Sequence, residues 1–289
     1  MTLARWRPAA NVTARPAHRR AQQKHFLSLL APLKDEESYL IEFINYYLIH
    51  GVDHFYFYDN DSNIPVVDVI GGYRDKCTVL QAPGDAVQYG AHAHFCKHFK
   101  HESRWVAVFD VDEFVLPRKH GSFKEFLLDY DHCDAIGINW VMFGDGHHKI
   151  RPVGGVIENY LYREARQHPC IKSVVKSEKL VGFFDNSHFA TLLDGSVYVD
   201  AHMNRITSAY NENHTIDVIQ LNHYFTKSED EWKRKLHRKR VDTGKSRAEH
   251  EEDHGWVFTV NEDLNQIRET SIVDSYGARL AEALRLRGA

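Results

Sequence analysis

Apolar positions fall along this chain in short dense runs, and each run stops at a polar cluster. Phe26–Ala31 predicts a first strand. The polar segment Lys34-Asp35-Glu36-Glu37-Ser38 follows. Tyr39, Leu40, Phe43, Ile44, Tyr47 and Leu48 then recur at helical spacing, and Gly51 sits where a helix ends. His54-Phe55-Tyr56-Phe57-Tyr58 predicts a second strand that stops at Asp59-Asn60-Asp61-Ser62-Asn63. Val66–Ile70 begins a helix, Gly71-Gly72 breaks it, and Thr78-Val79-Leu80 is a short third strand. Residues 88–102 read as helix, Trp105–Phe109 as the fourth strand, Phe123–Leu128 as helix and Ala135–Val141 as the fifth strand. Alternation at this spacing predicts an α/β fold: a mixed, mainly parallel sheet with helices on both faces. Beyond it the pattern is less regular. Tyr160–Arg163, Ile171–Lys176, Ser196–Val199 and Ile216–His223 read as strands, and Ser228–Arg240 and Ser275–Arg287 as helices.

In such sheets ligands bind at the carboxyl ends of the strands, where the polar clusters at 34–38, 59–63 and 110–113 all fall. The third is the richest in chemistry. Trp105-Val106-Ala107-Val108-Phe109 runs into Asp110-Val111-Asp112-Glu113-Phe114. Two carboxylates one residue apart share a face as the strand opens into a loop. Burying them together is costly without a compensating cation. Oxygen ligands at an open strand end suit Mg²⁺ or Mn²⁺, which retain water and bind substrate phosphates. A dehalogenase-type phosphatase also carries Asp-x-Asp after a strand, but it needs Thr or Val where this chain has Phe114, and it places the motif on its first strand.

Composition narrows the class. The chain has 289 residues, a formal charge of −4 and no apolar stretch long enough to span a bilayer. Cys77, Cys96, Cys133 and Cys170 are widely spaced, which predicts free thiols in a reducing compartment, and the amino end lacks the apolar core of a secretion signal. These features predict a cytoplasmic enzyme. Residues 1–24 carry six Lys and Arg and no acid, predicting a disordered basic arm that touches anionic headgroups at the inner face of a membrane. A second basic run, residues 233–240, reads as a solvated helix face or as a surface for anionic lipid or phosphate. Net acidity argues against nucleic acid as partner. His94, His98 and His101 share a helical face, but with Lys97 and Lys100 adjacent a surface helix is expected.

Several segments together resemble glycosyltransferase family 92 and its bacterial family-2-like relatives. They are Lys34-Asp35-Glu36 (usually Lys-Asn-Glu), Glu42 through Tyr47, Gly51 through Ser62, Trp105 through Phe114, Asn139 through Gly144, and Leu221 through Ser228. The resemblance runs from about residue 25 to 240. It implies a GT-A fold, a nucleotide-sugar donor with UDP favoured, a divalent ion held by the Asp-x-Asp, and transfer with inversion to a saccharide or glycolipid acceptor, as in bacterial surface polysaccharide synthesis. The alternative is a non-catalytic carbohydrate-binding protein on the same fold. The expected organisation is an arm at 1–24 and one domain at 25–289. That domain divides into a nucleotide-sugar half at 25–145, an acceptor half at 146–245 and a helical tail.

Residue by residue, Asp112 is the first choice as ion ligand. Asp110 binds the ion through water or holds the ribose, and His223, at the end of an apolar run, is the third ligand. Lys34, Glu36, Asp59 and Asp61 are expected to contact the nucleotide, and Lys227 the diphosphate. An inverting enzyme needs a general base; Asp145, Glu113 and Asp185 are the candidates. Asp145 lies in the stretch Asp145-Gly146-His147-His148, where many relatives carry small Ser residues.

Overall fold

The computed structural model describes residues 7–8, 23–184, 186–249 and 264–286. Four strands form the parallel part of one sheet: β1 (His25–Leu33), β2 (His54–Asp59), β3 (Cys77–Gln81) and β4 (Ser103–Val108). They lie in the order β3-β2-β1-β4, with Leu29 opposite both Phe55 and Ala107. Crossovers through α1 (Glu37–Ile49) and α2 (Gln88–His98) are long enough to return each strand parallel. The predicted helix at Val66 is one turn, Val66–Val69. The helix predicted over 88–102 stops at His98 and ends in a separate 3₁₀ turn, Lys100–Glu102.

The aromatic run of β2 shows why this sheet needs helices on both faces. Phe55 and Phe57 point into a core with Leu40, Phe43, Tyr47 and Phe123, whereas Tyr56 and Tyr58 point into a second core with Ala91 and Phe95. Each fully buried aromatic ring contributes about 2–3 kcal/mol by leaving water. At the end of α1, Gly51 adopts φ +83° and its N–H reaches Leu48 O at 3.1 Å. A Cβ there would also lie 2.7 Å from Lys124 Cβ, on α3 (Phe123–Asp129), so glycine is required twice over.

The sheet continues past β4 in a mixed pattern. β5 (Glu113–Pro117), β6 (Ala135–Met142), β7 (Ile171–Lys176) and β8 (Ile219–His223) extend it in the order β4-β7-β6-β8-β5, and the short pair Tyr198–Val199 runs parallel beside the start of β6. β7 is antiparallel to both β4 and β6, β8 is parallel to β6, and β5 is antiparallel to β8. The structure thus differs from the expectation that the chain opens into a loop after Asp112. The apolar stretch Phe114-Val115-Leu116 is a strand of its own at the far edge of the sheet, and Asp110–Asp112 is the turn between two strands. Of the remaining helices, α4 (Glu229–His237) is capped by Ser228, whose Oγ accepts from Glu231 N while Glu231 accepts from Ser228 N. α5 (Ala278–Leu286) packs on α1. One sheet, and the larger of its two cores, therefore span both expected halves of the domain. Most of the basic arm at 1–24 lies outside the described residues; Arg7–Pro8 pairs with Leu80 and Gln81 of β3.

Candidate active site

The site is built around the turn after β4. Asp110 N–H donates to Glu113 Oε2 at 2.9 Å, and Glu113 N–H donates back to Asp110 O at 3.0 Å. This reciprocal pair closes the turn and leaves the Asp110 side chain projecting from it. Asp110 Oδ2 accepts from Lys172 Nζ at 2.7 Å, and the same ammonium lies 3.3 Å from Glu113 Oε1. Lys172 belongs to β7 and is 1% exposed. Burial alone would lower its pKa; Asp110 and Glu113 outweigh it and raise it. Glu113 has no exposed surface, and burial pushes its carboxyl well above the usual range. Glu113 supports the turn from below and does not line the cleft, so it is placed away from the base role expected of it.

Asp112 faces the other way, toward β8 and α4. The ladder between β5 and β8 sets Glu113 opposite His223, and Tyr224 N–H donates to Asp112 O at 2.8 Å. These two constraints bring His223 Nε2 within 3.5 Å of Asp112 Oδ1. Lys235 of α4 donates to Asp112 Oδ2 at 2.7 Å and to Phe225 O at 2.8 Å. Burial alone would raise the Asp112 pKa, but Lys235 and then His223 hold it well below the carboxylate range. Burial lowers His223, keeping the imidazole neutral, and takes Lys235 down to about 8 despite Asp112. His223 Nδ1 is buried without a hydrogen-bond partner among the described residues, and the ring packs 4.4 Å from that of Trp140.

No three His, Cys, Asp or Glu side chains among the described residues enclose an ion by themselves. What the chain offers is one carboxylate and one neutral imidazole converging at a cleft, with Asp110 two residues away. That donor set fits Mg²⁺ or Mn²⁺, which completes its shell with water and substrate phosphate instead of a full protein cage.

Lys and Arg side chains outnumber acids in the cleft wall. Lys34, Lys235, Arg238, Arg240 and Arg247 line it, along with Glu36, Trp140 and His188. Arg238 Nη2 and Lys227 Nζ each donate to the Glu36 carboxylate at 2.8 Å. Burial would raise the Glu36 pKa, but Lys227 and Arg238 bring it to about 2. Lys227 adopts φ +55° and lies behind this pair, not in the cleft wall. The signal for the cationic wall was the basic run 233–240. Its helical spacing splits it: Lys233 and Arg234 pair outward with Glu229 and Asp230, while Lys235 and Arg238 turn inward. Sequence reasoning missed Lys172 and gave Trp140 no role of its own, because nothing local marks a buried Lys in a strand or an indole at a cleft floor; His188, which sequence leaves open between acceptor contact and core packing, lines the cleft.

Other expected residues lie elsewhere. Asp59, 1% exposed, accepts from Ser62 N, Val66 N and Gln81 Nε2 at 3.0–3.1 Å, and Asp61 accepts from Gly84 N at 3.0 Å. Both carboxylates hold the turn after β2, and neither lines the cleft. Asp145 accepts from His147 N at 2.8 Å and from Asn265 Nδ2 at 2.7 Å, a turn that is likewise outside the cleft. Asp185 lies outside the described residues.

A family model for glycosyltransferase family 92 matches residues 27–256, well over half of the chain. The chain belongs to glycosyltransferase family 92. Two relatives are family 92 proteins of Arabidopsis thaliana and Ricinus communis, each 26% identical to this chain, over 75% and 76% of its length. The chain spans 38% and 39% of those two proteins. Among solved structures, TarS of S. aureus in complex with UDP aligns with a TM-score of 0.36 at 14% identity, covering 61% of this chain and 60% of that one. Glucosyl-3-phosphoglycerate synthase of Mycobacterium tuberculosis, in complex with Mn²⁺, UDP-glucose and phosphoglyceric acid, aligns at 0.29 and 14% identity, covering 58% and 64%. In this family 92 chain the segments at 34–36, 105–114, 139–144 and 221–228 all reach the cleft, the third through Trp140.

Proposed function

We propose that this family 92 chain is a metal-dependent glycosyltransferase that moves a sugar from a nucleoside diphosphate donor, UDP favoured, to a saccharide or glycolipid acceptor with inversion. The observation that carries the reading is the meeting of Asp112, His223 and the inward cations of α4 in one cleft at the carboxyl ends of the parallel strands. Asp112 and His223 would hold Mg²⁺ or Mn²⁺, with Asp110 beside them. When bound, the ion supplies Lewis-acid neutralisation of the departing diphosphate. The chain's own residues do the rest. Arg238 and Arg247 present fixed charge to a diphosphate, and Arg238 is itself held by Glu36. Lys34, which donates to Asn60 O at 2.8 Å, ties the β1 and β2 loops together at the cleft edge. Trp140 gives the deep end of the cleft an apolar floor suited to a sugar ring.

The setting expected of the protein, a bacterial cytoplasm with peripheral contact to the membrane, remains part of this proposal. No helix of the described residues is long and apolar enough to cross a membrane. The donor reading is tested by thermal unfolding with UDP, in Mn²⁺ and in chelator. At about 100 times its dissociation constant UDP should add about 2.7 kcal/mol of stability, and only with the ion present. Equal stabilisation in chelator would remove the metal role. The anomeric configuration of a product sugar, read by NMR, tests inversion.

A further inference from the structure

Asp110 and Asp112 each hold an ammonium, but the two ammoniums are anchored differently. Lys172 is locked between two acids inside the sheet, its side chain 1% exposed. Lys235 stands on the last turn of α4 with its side chain 12% exposed. Its Nζ is held by Asp112 Oδ2 at 2.7 Å and Phe225 O at 2.8 Å, and rests 4.5 Å from the centre of the Phe225 ring. It borders the cleft on one side and a neighbouring cavity, shared with Tyr39 and Glu231, on the other. A flexible four-carbon stem with room on both sides can move its charge without moving the helix.

An ion binding at Asp112 and His223 would need the carboxylate that Lys235 already claims. Oδ1 of Asp112 faces His223 and Oδ2 faces Lys235, so an ion at Oδ1 would share a single carboxylate charge with the ammonium already 2.7 Å from Oδ2. We propose that Lys235 competes with a divalent cation for Asp112 and yields the carboxylate when a nucleoside diphosphate offers its ammonium a second anionic partner. This rests on the donor-site reading above and extends it. Ion and nucleotide then bind cooperatively through one side chain, and by linkage each tightens the other by the same factor. The ion alone binds weakly because it must displace an ammonium that has nowhere comparable to go.

The test is Mn²⁺ binding to the full chain, followed by the loss of the free-ion electron paramagnetic resonance signal, with and without UDP. The variants are Lys235→Met, Lys235→Arg and Lys239→Met. Lys239 also lines the cleft but pairs with Asp85 at 2.9 Å, so its removal controls for charge at a distance. Lys235→Met should bind Mn²⁺ alone about tenfold more tightly, and the factor by which UDP tightens Mn²⁺ should shrink correspondingly. Lys235→Arg and Lys239→Met should stay near the unmodified protein. If the methionine weakens folding, Lys235→Gln, which keeps a polar tip for Phe225 O, gives the same comparison. Unchanged or weaker Mn²⁺ binding in Lys235→Met overturns the competition, as does an equal gain in Lys239→Met, which would reduce it to general electrostatics. Absence of Mn²⁺ binding in every protein, with or without UDP, overturns the metal reading itself and the competition with it.

Discussion

Two acidic turns end strands of the same sheet and look alike in sequence: Asp59-Asn60-Asp61-Ser62 after β2 and Asp110-Val111-Asp112-Glu113 after β4. In the first, Asp59 accepts from the backbone N–H groups of Ser62 and Val66 and from the Gln81 side-chain amide of β3, and Asp61 from the Gly84 N–H just past that strand. In the second, they meet Lys172, His223 and Lys235, which arrive from three distant elements. An acid at a strand end is thus ambiguous between turn chemistry and site chemistry. What separates them is whether side chains from elsewhere converge on it, and that is a property of the tertiary fold.

Four measurements can break or sharpen this contrast. The largest effect is expected at Asp112→Asn, which should lower transfer about a thousandfold, roughly 4 kcal/mol of transition-state stabilisation, in a protein that still folds. Near-normal turnover in a pure sample would move the site elsewhere. Next is the Glu36 cluster. Glu36 has a folded pKa of about 2, depressed below its ordinary value of 4.5. Its contribution is therefore full above pH 4.5 and is lost as pH falls toward 2, on the order of 3 kcal/mol. Glu36→Gln should flatten acid unfolding across that window, and an unchanged acid profile would show that Lys227 and Arg238 do not stabilise the ionised form. Third, Asp59→Ala should cost about 2 kcal/mol of stability in denaturant unfolding by stranding buried donors, while activity per folded molecule stays within twofold. Loss of UDP binding there would return Asp59 to the nucleotide. Smallest is Asp145→Ala, with about 1 kcal/mol of stability and no more than a twofold change in turnover; a large loss of turnover would restore it as the base.

The parallel half was legible because its signals are local. Both faces of each strand are buried, so strands read as apolar runs, and the β7 range is likewise recovered residue for residue. The β5 strand is hidden because it follows the Asp-x-Asp turn directly, and its apolar core is three residues long. The site was legible in proportion to how far its members reach. Asp112 and His223 stand at ends of apolar runs that the sequence displays. Lys172 sits inside such a run, and only the antiparallel insertion of β7 beside β4 brings it under Asp110. Glu113 and Asp145 are candidate bases in sequence, whereas in space each carboxylate already serves the backbone of its own turn.

The ladder between β5 and β8 also has a consequence in time. Lys235 and Asp112 are 123 residues apart, and Arg238 and Glu36 are 202 apart. The cleft is therefore closed by contacts between residues far apart in the chain, which form only after a costly loop closure. A refolding chain should regain the tryptophan fluorescence of Trp105, packed in the parallel half, before it regains UDP binding. Synchronous recovery of the two signals would mean that the sheet and the cleft assemble as one cooperative unit.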